Sequence, residues 1–208
     1  MRIDTATFGM GCFWSPEALF GQLPGVISTQ TGYAGGAAEY PTYRNMGDHT
    51  ETVQLRFDPS KLPFESIVRL FWNSHNPNNI NGYKGDQYKS LLFWQTEEQR
   101  DAIGRVLQER NERGETGAET EVCPYEHFWP AEDRHQKYYL KRYPDAVRQL
   151  ELLFLHLDAP METTLAARLN GVAKGYANLS AVKDEIADSD IDEGEKERLI
   201  AAISRIRW

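Results

Sequence analysis

Residues 5–20 turn from a strand-like pattern to a helical one across a glycine-lined corner, Gly9-Met10-Gly11-Cys12-Phe13-Trp14-Ser15-Pro16-Glu17. Thr5 to Met10 predicts a short strand. Ser15 as N-cap and Pro16 at the first helical position predict a helix running on through Ala18, Leu19 and Phe20. The corner places Cys12, one of two cysteines, just before a helix N-terminus. Unpaired backbone N–H groups and the positive end of the helix dipole there favour thiolate over thiol. Gly11 lets the backbone approach a ligand closely, and Phe13 and Trp14 supply an apolar wall beside the sulfur. A buried, inert cysteine in a strand-to-helix corner is the alternative. Glycine, proline and two aromatics gathered around one thiol favour a nucleophile.

The first 160 residues read as one α+β domain. Val26 to Tyr33 predicts a strand ending at Gly35-Gly36. In Glu51 to Phe57 the residues alternate, with Glu51, Val53, Leu55 and Phe57 on one face and Thr52, Gln54 and Arg56 on the other. Pro63 to Asn73 carries helical spacing, Asn76 to Gly85 is an irregular loop, and Tyr88 to Trp94 predicts a strand. Thr96 and Gln99 form a capping box that opens a charged helix to about Arg113. Ala118 to Cys123 predicts a short strand, and Asp133 to Arg142 a short helix. Residues 161–208 predict a helical appendix packed on this domain: a helix broken near Gly171 and Gly175, then helices over Val182 to Ile186 and Glu195 to Ile206.

Composition narrows the function classes. A formal net charge of −8 with no lysine- or arginine-rich block argues against nucleic acid as partner. Two distant cysteines are neither a disulfide framework nor a zinc pattern, and they fit a reducing compartment. No apolar run reaches the length of a membrane span and the N-terminus has no signal-like apolar stretch, so a cytoplasmic protein, a monomer, is expected. Five scattered histidines give no metal-ligand spacing, and no phosphate-binding glycine loop is present, so no metal or cofactor is expected.

Glu51 shares its strand face with apolar residues. An inward carboxyl group there has a raised pKa and can donate a proton near neutral pH; a carboxylate at the strand's first residue that turns into solvent is the other reading. Tyr43 and Tyr88 stand beside turn-rich segments and either donate to a ligand oxygen or pack with solvated hydroxyls. His135 is either a base for Cys12 or a structural histidine.

Six separated motifs, in order, carry a resemblance: Gly11-Cys12-Phe13-Trp14; Gly32-Tyr33-Ala34-Gly35-Gly36; Pro41-Thr42-Tyr43; His49-Thr50-Glu51 with Phe57-Asp58-Pro59; Gly85-Asp86-Gln87-Tyr88-Lys89-Ser90; and Pro130-Ala131-Glu132-Asp133 with His135-Gln136. Over residues 5–145 the chain resembles the peptide methionine sulfoxide reductase A family. The resemblance implies a two-layer α+β sandwich around a mixed sheet, with a ferredoxin-like core. It implies reduction of methionine S-sulfoxide, peptide-bound or free. Cys12 would attack the sulfoxide sulfur, Phe13 and Trp14 would hold the S-methyl group, and Glu51 would protonate the oxygen, with Tyr43 and Tyr88 hydrogen-bonding it. The product at Cys12 would be a sulfenic acid, reduced by thioredoxin or another external thiol. The tail holds no cysteine, and Cys123 reads as buried and inert, so no Cys12–Cys123 disulfide is expected.

Three positions depart from the family pattern. Ser15 stands where glycine or cysteine is common. The segment between Tyr43 and Glu51 is shorter than usual, which would displace Tyr43. Tyr83 occupies the place of an aspartate, so that a phenol substitutes, Asp86 swings in, or the site is altered. Without that carboxylate, Glu51 is expected to ionise at lower pH than in relatives, and activity to fall earlier as pH rises. These departures leave two alternative classes, a relative that only binds methionine-like side chains and a thiol peroxidase.

Overall fold

The computed structural model describes residues 2–115 and 119–208. A six-stranded mixed sheet is built from β1 (Asp4–Met10), β2 (Val26–Ala34), β3 (Thr50–Phe57), β4 (Ser90–Trp94), β5 (Glu121–Pro124) and β6 (Phe128–Pro130). Their order is β5-β4-β1-β3-β2-β6, with β4 and β5 parallel and the other neighbours antiparallel. Helix α1 (Trp14–Gly21) joins β1 to β2, and α2 (Phe64–Asn73) joins β3 to β4. Each connection passes over the strand between its ends, giving two interlocked split β–α–β units. Ala118, the first residue of the strand expected to end at Cys123, lies outside the described residues.

The alternation in β3 sets the layers. Glu51, Val53, Leu55 and Phe57 are all buried on the face covered by helices. Phe8 of β1 anchors this core, its ring centroid 4.4 Å from that of Phe20 on α1 and 5.6 Å from that of Phe71 on α2. A smaller cluster of Ala34, Leu91, Phe93 and Phe128 covers the opposite face. Helix α3 (Glu97–Glu112) adds Ile103 and Val106 to the main core. Its Thr96 cap accepts from the Gln99 amide at 3.2 Å, while the Gln99 side chain reaches back to the Gln95 amide rather than to that of Thr96.

Two sequence expectations change here. Ser15 is not the N-cap of α1: the helix starts at Trp14 with Phe13 before it, and the Ser15 hydroxyl bonds the Tyr139 hydroxyl at 2.8 Å. The helix expected over Asp133 to Arg142 is two 3-10 turns, Asp133–His135 and Leu140–Arg142, separated by extended Gln136 and by Lys137 at φ 51°. Tertiary bonds override the helical pattern. Gln136 pairs with the backbone of Thr31 at 2.9 and 2.8 Å, in the manner of a further strand. Lys137 is committed to Glu17: Nζ donates to Glu17 Oε1 at 2.6 Å and to the Thr29 carbonyl at 2.7 Å, and the Lys137 amide donates to Oε2 at 2.8 Å.

The C-terminal helices are α4 (Pro144–Leu153), α5 (Thr164–Lys174), α6 (Leu179–Ala187) and α7 (Glu193–Ser204). They share a second core that includes Leu150, Leu169, Val182 and Ile203, so the helical layer draws on α4 as well as on residues beyond 160. Helix α5 does not break at Gly171. That glycine lies where α5 meets α1, and a Cβ there would come within 2.5 Å of the Gln22 Cβ. The helix ends at Gly175, which is left-handed at φ 84°. Buried Arg168 fixes the contact by donating to the carbonyls of Gly21 and Val26 at 2.6 and 2.9 Å and pairing with Glu185 at 2.7 Å. Among the described residues, no helix is long and apolar enough to cross a membrane.

The buried Glu17–Lys137 pair generates a stability prediction. Removing one partner leaves a buried charge uncompensated, so Glu17→Ala is expected to cost about 3–5 kcal/mol in urea unfolding, and Glu17→Leu combined with Lys137→Met to recover most of it. A loss below about 1 kcal/mol, the range of exposed pairs, would remove this pair from the framework.

Candidate active site

β1 ends at Met10, and Gly11 turns the chain at φ 82°. A Cβ on Gly11 would lie 2.5 Å from Ile80 Cγ2 and 3.4 Å from Tyr83 Cδ2, so both the turn and the closeness of the loop require glycine. Cys12 follows, partly exposed and not disulfide-bonded. The turn feeds directly into α1, and the Trp14 amide at its start bonds the Cys12 sulfur.

Glu51 sits at the second residue of β3, 1% exposed. The inward reading therefore holds, and the solvent-facing rim does not. Its Oε2 accepts from the Phe13 amide at 3.1 Å, and its Oε1 from the Gln87 side chain at 2.6 Å. Burial pushes its pKa up, and these two hydrogen bonds oppose the shift without cancelling it. Gln87 was not singled out as a site residue from sequence. It belongs to the 3-10 turn Asp86–Tyr88, which presents Gln87 to Glu51 and Tyr88 to the same region. Asp86 does not swing in. Its side chain is largely exposed and pairs with Lys89 at 3.1 Å.

The helix-terminus expectation for Cys12 is reversed. Burial pushes the thiol up to about 11; the Trp14 amide hydrogen bond works against this, and the Glu51 charge adds to it. The dipole of an eight-residue helix is outweighed by desolvation under the loop and by the neighbouring carboxylate. At neutral pH Cys12 is a thiol.

Around this pair stand the aromatic residues. Trp14 stacks face to face on Tyr138, centroids 3.7 Å apart and planes 3° apart, and its indole N–H donates to His135 Nδ1 at 3.3 Å. Phe13 is buried against His135 and Tyr33. Tyr43 packs its ring 4.7 Å from that of His135, under Arg134, and its amide donates to Glu132 at 3.1 Å. Tyr83 stacks on Tyr88 at 4.5 Å. Burial, Glu51 and Tyr43 push the Tyr88 phenol up, and Cys12, burial and Glu51 push up that of Tyr83, so both remain protonated donors at neutral pH. Tyr83 is thus close to the sulfur, as the motif alignment requires. His135 is a packing element, 4% exposed among Phe13, Trp14 and Tyr43, with a pKa lowered by burial.

Cys123 is on β5, packed against the cluster on the far face of the sheet. It lies opposite Phe93, whereas Met10 lies opposite Ser90, and β4 separates the two strands. Strand geometry alone puts Cys123 roughly 14 Å from Met10, well past the ~7 Å limit for a disulfide. Among the described residues no group of three or more His, Cys, Asp or Glu side chains is placed to hold a metal ion.

The Cys12 environment predicts a titration. Alkylation of Cys12 by iodoacetamide, followed by peptide mass after brief pH jumps, is expected to rise with a midpoint near pH 11. Glu51→Gln lowers that midpoint by removing a repelling charge. A wild-type midpoint below about 8 would show that the helix terminus dominates.

The family model described as peptide methionine sulfoxide reductase matches residues 4–156. A peptide methionine sulfoxide reductase of Drosophila melanogaster is 41% identical over 182 residues, which are 87% of this chain and 72% of the relative. Peptide methionine sulfoxide reductase MsrA of Methanococcus maripaludis is 40% identical over 146 residues, 67% of this chain and 93% of the relative. Among solved structures, methionine sulfoxide reductase A of Corynebacterium diphtheriae matches with a TM-score of 0.59 at 29% identity, covering 68% of this chain and 76% of that one. Reduced Mxr1 of Saccharomyces cerevisiae, at 24% identity, shares the fold with a TM-score of 0.61 over 69% of this chain and 87% of its own. On these grounds, the chain belongs to the peptide methionine sulfoxide reductase family and is a methionine sulfoxide reductase.

Proposed function

We propose that Cys12 and Glu51 carry out the reduction as a proton-sharing pair. The observation that carries this reading is the Glu51 carboxyl group, buried and bonded to the amide of Phe13, the residue next to the nucleophile. With the thiol raised to about 11 and the carboxyl a weaker base than a thiolate, the resting pair keeps one proton on sulfur when Glu51 is ionised. The reactive arrangement has that proton on Glu51. Thiolate sulfur attacks the sulfoxide sulfur while Glu51 protonates the oxygen, which makes it transferable. The protonated oxygen then passes to Cys12: its bond to the substrate sulfur and the S–S bond formed in the attack both break, a Cys12 S–O bond forms, and Cys12 is left as a sulfenic acid. The substrate sulfur is reduced by two electrons to the thioether, Cys12 is oxidised by two, and the thiol's proton ends on the oxygen.

Tyr43, Tyr83 and Tyr88 supply phenolic donors for the oxygen, and Phe13 and Trp14 hold the S-methyl group of an S-sulfoxide. Trp14 is stiffened by its stack on Tyr138, which the Glu17–Lys137 pair anchors one residue away. Since Cys123 is out of reach, an external thiol, thioredoxin or a small molecule, regenerates Cys12 in a reducing compartment such as the cytoplasm. The working unit is a monomer, with a catalytic domain over 1–160 and an extension over 161–208. A peroxidase reading is disfavoured because burial raises the thiol rather than depressing it.

Glu51→Gln tests the pair. Single-turnover formation of methionine is expected to slow by about 10²–10⁴-fold with little change in substrate affinity. Slowing below about threefold would refute the assignment.

The raised thiol also changes the expected pH profile. Below the Glu51 pKa both groups hold protons and no base is available for the thiol, so the rate falls as pH drops through that pKa. Above about 11 both are deprotonated and no proton remains for the oxygen. Glu51 therefore governs the acid limb rather than the alkaline one. Tyr83→Asp places a negative charge near both groups and is expected to move both limbs of the single-turnover profile to higher pH. Limbs that stay in place would show that position 83 does not sense the pair.

A further inference from the structure

Cys12 also opens onto a cleft that does not include Glu51. It holds about 470 Å³ and is lined by residues including Tyr83, Tyr139, Lys174 and Tyr176. The last two come from the end of α5 and the residue after its Gly175 cap, outside the stretch matched by the family model. The cap folds the chain back, with the Tyr176 amide bonded to the Gly171 carbonyl at 2.9 Å, and this sets Tyr176 beside Lys174. Lys174 Nζ lies 4.6 Å from the Tyr139 ring centroid and 5.9 Å from that of Tyr176. Tyr139 is itself fixed by the Ser15 hydroxyl at 2.8 Å.

The charge of this cleft is opposite to that of the chain. The protein has 31 acidic side chains and a net charge of −8. Yet no Asp or Glu is among the described residues lining the cleft, and Lys174 is its lysine. A lysine in the last turn of a helix also complements the helix dipole. That role does not require the ammonium group to lie across two tyrosine faces, which hold it at the mouth of the Cys12 cleft by cation–π contact.

We propose that this cleft is a carboxylate subsite. Lys174 selects methionine sulfoxide substrates bearing a carboxylate on the same chain: an acidic neighbour in a peptide, or the α-carboxylate of the free amino acid. The proposal rests on Cys12 as the nucleophile.

Its test compares kcat/KM for matched sulfoxide peptides with glutamate or glutamine beside the methionine sulfoxide, and for free methionine sulfoxide against its carboxamide. Wild type is expected to favour the carboxylate in at least one pair by about two- to fivefold at low ionic strength, the range for an exposed ion pair, and less in 0.5 M salt. Lys174→Gln abolishes the preference and Lys174→Glu inverts it. The peptide pair responding assigns the subsite to acidic sequences, and the amino-acid pair assigns it to the free substrate. No preference in wild type, or one that Lys174→Glu leaves intact, overturns the subsite. Methionine formation from the neutral peptide by wild type but not by Cys12→Ser reports separately on the Cys12 assignment, so the two failures are distinguishable.

Discussion

A carboxyl group withdrawn from water at the end of a strand must find donors or give up its charge. Glu51 is in that position, and much of the site follows from how its needs are met. One donor is the Phe13 amide, available because α1 begins there with its amides unpaired. The other is the Gln87 side chain, delivered by the turn before β4. The first bond ties the strand carrying Glu51 to the turn that carries Cys12 and opens α1. The second closes the loop that also supplies Tyr83 and Tyr88. Burial therefore holds Glu51 against the segment that carries Cys12 and at the same time raises the proton affinity of both groups.

The scaffold behind the site depends on a second buried polar group. Glu17 takes the amide and ammonium of Lys137 on the inner side of α1. That fixes the segment from His135 to Tyr139, whose rings back Phe13, Trp14 and Ser15. α5 packs on the other end of α1 through Gly171 and Arg168, and its C-terminal turn reaches the Cys12 cleft. The cleft beside Cys12 is thus lined from the end of β1, the loop before β4 and the end of α5, with α1 at its centre.

Much of this was legible from local pattern. Period-2 alternation put Glu51 on the face of Val53, Leu55 and Phe57, but its place at the strand end left the solvent-facing rim equally open, and only burial in the fold decides for the inward side. Glycine, cysteine and paired aromatics marked the Cys12 corner, where Gly11 has to adopt a positive φ under Ile80. The ordered motifs singled out Tyr43 and Tyr88, and the departure two residues before Gly85 singled out Tyr83, which stacks on Tyr88. What failed depended on distant partners. The Cys12 pKa is set by burial under chain segments far from residue 12 and by Glu51, so the local helix argument gave the wrong sign. The 133–142 segment had helical composition, but bonds from Gln136 and Lys137 to β2 and α1 hold it in two separate turns. Gln87 and the Glu17–Lys137 pair carry no local signature, because a polar side chain is neutral to pattern until its buried partner is known.

In the proposed reaction, oxygen passes from the substrate to Cys12 and stops there until an outside thiol arrives. The most direct measurement mixes enzyme with a sulfoxide peptide in the absence of reductant. It counts methionine per chain while a sulfenic-acid probe and peptide mass report on both cysteines. One methionine per chain is predicted, with the adduct on Cys12, Cys123 still a thiol, and no methionine from Cys12→Ser. No methionine from wild type, or a loss of two protons with Cys12 and Cys123 joined, would contradict it.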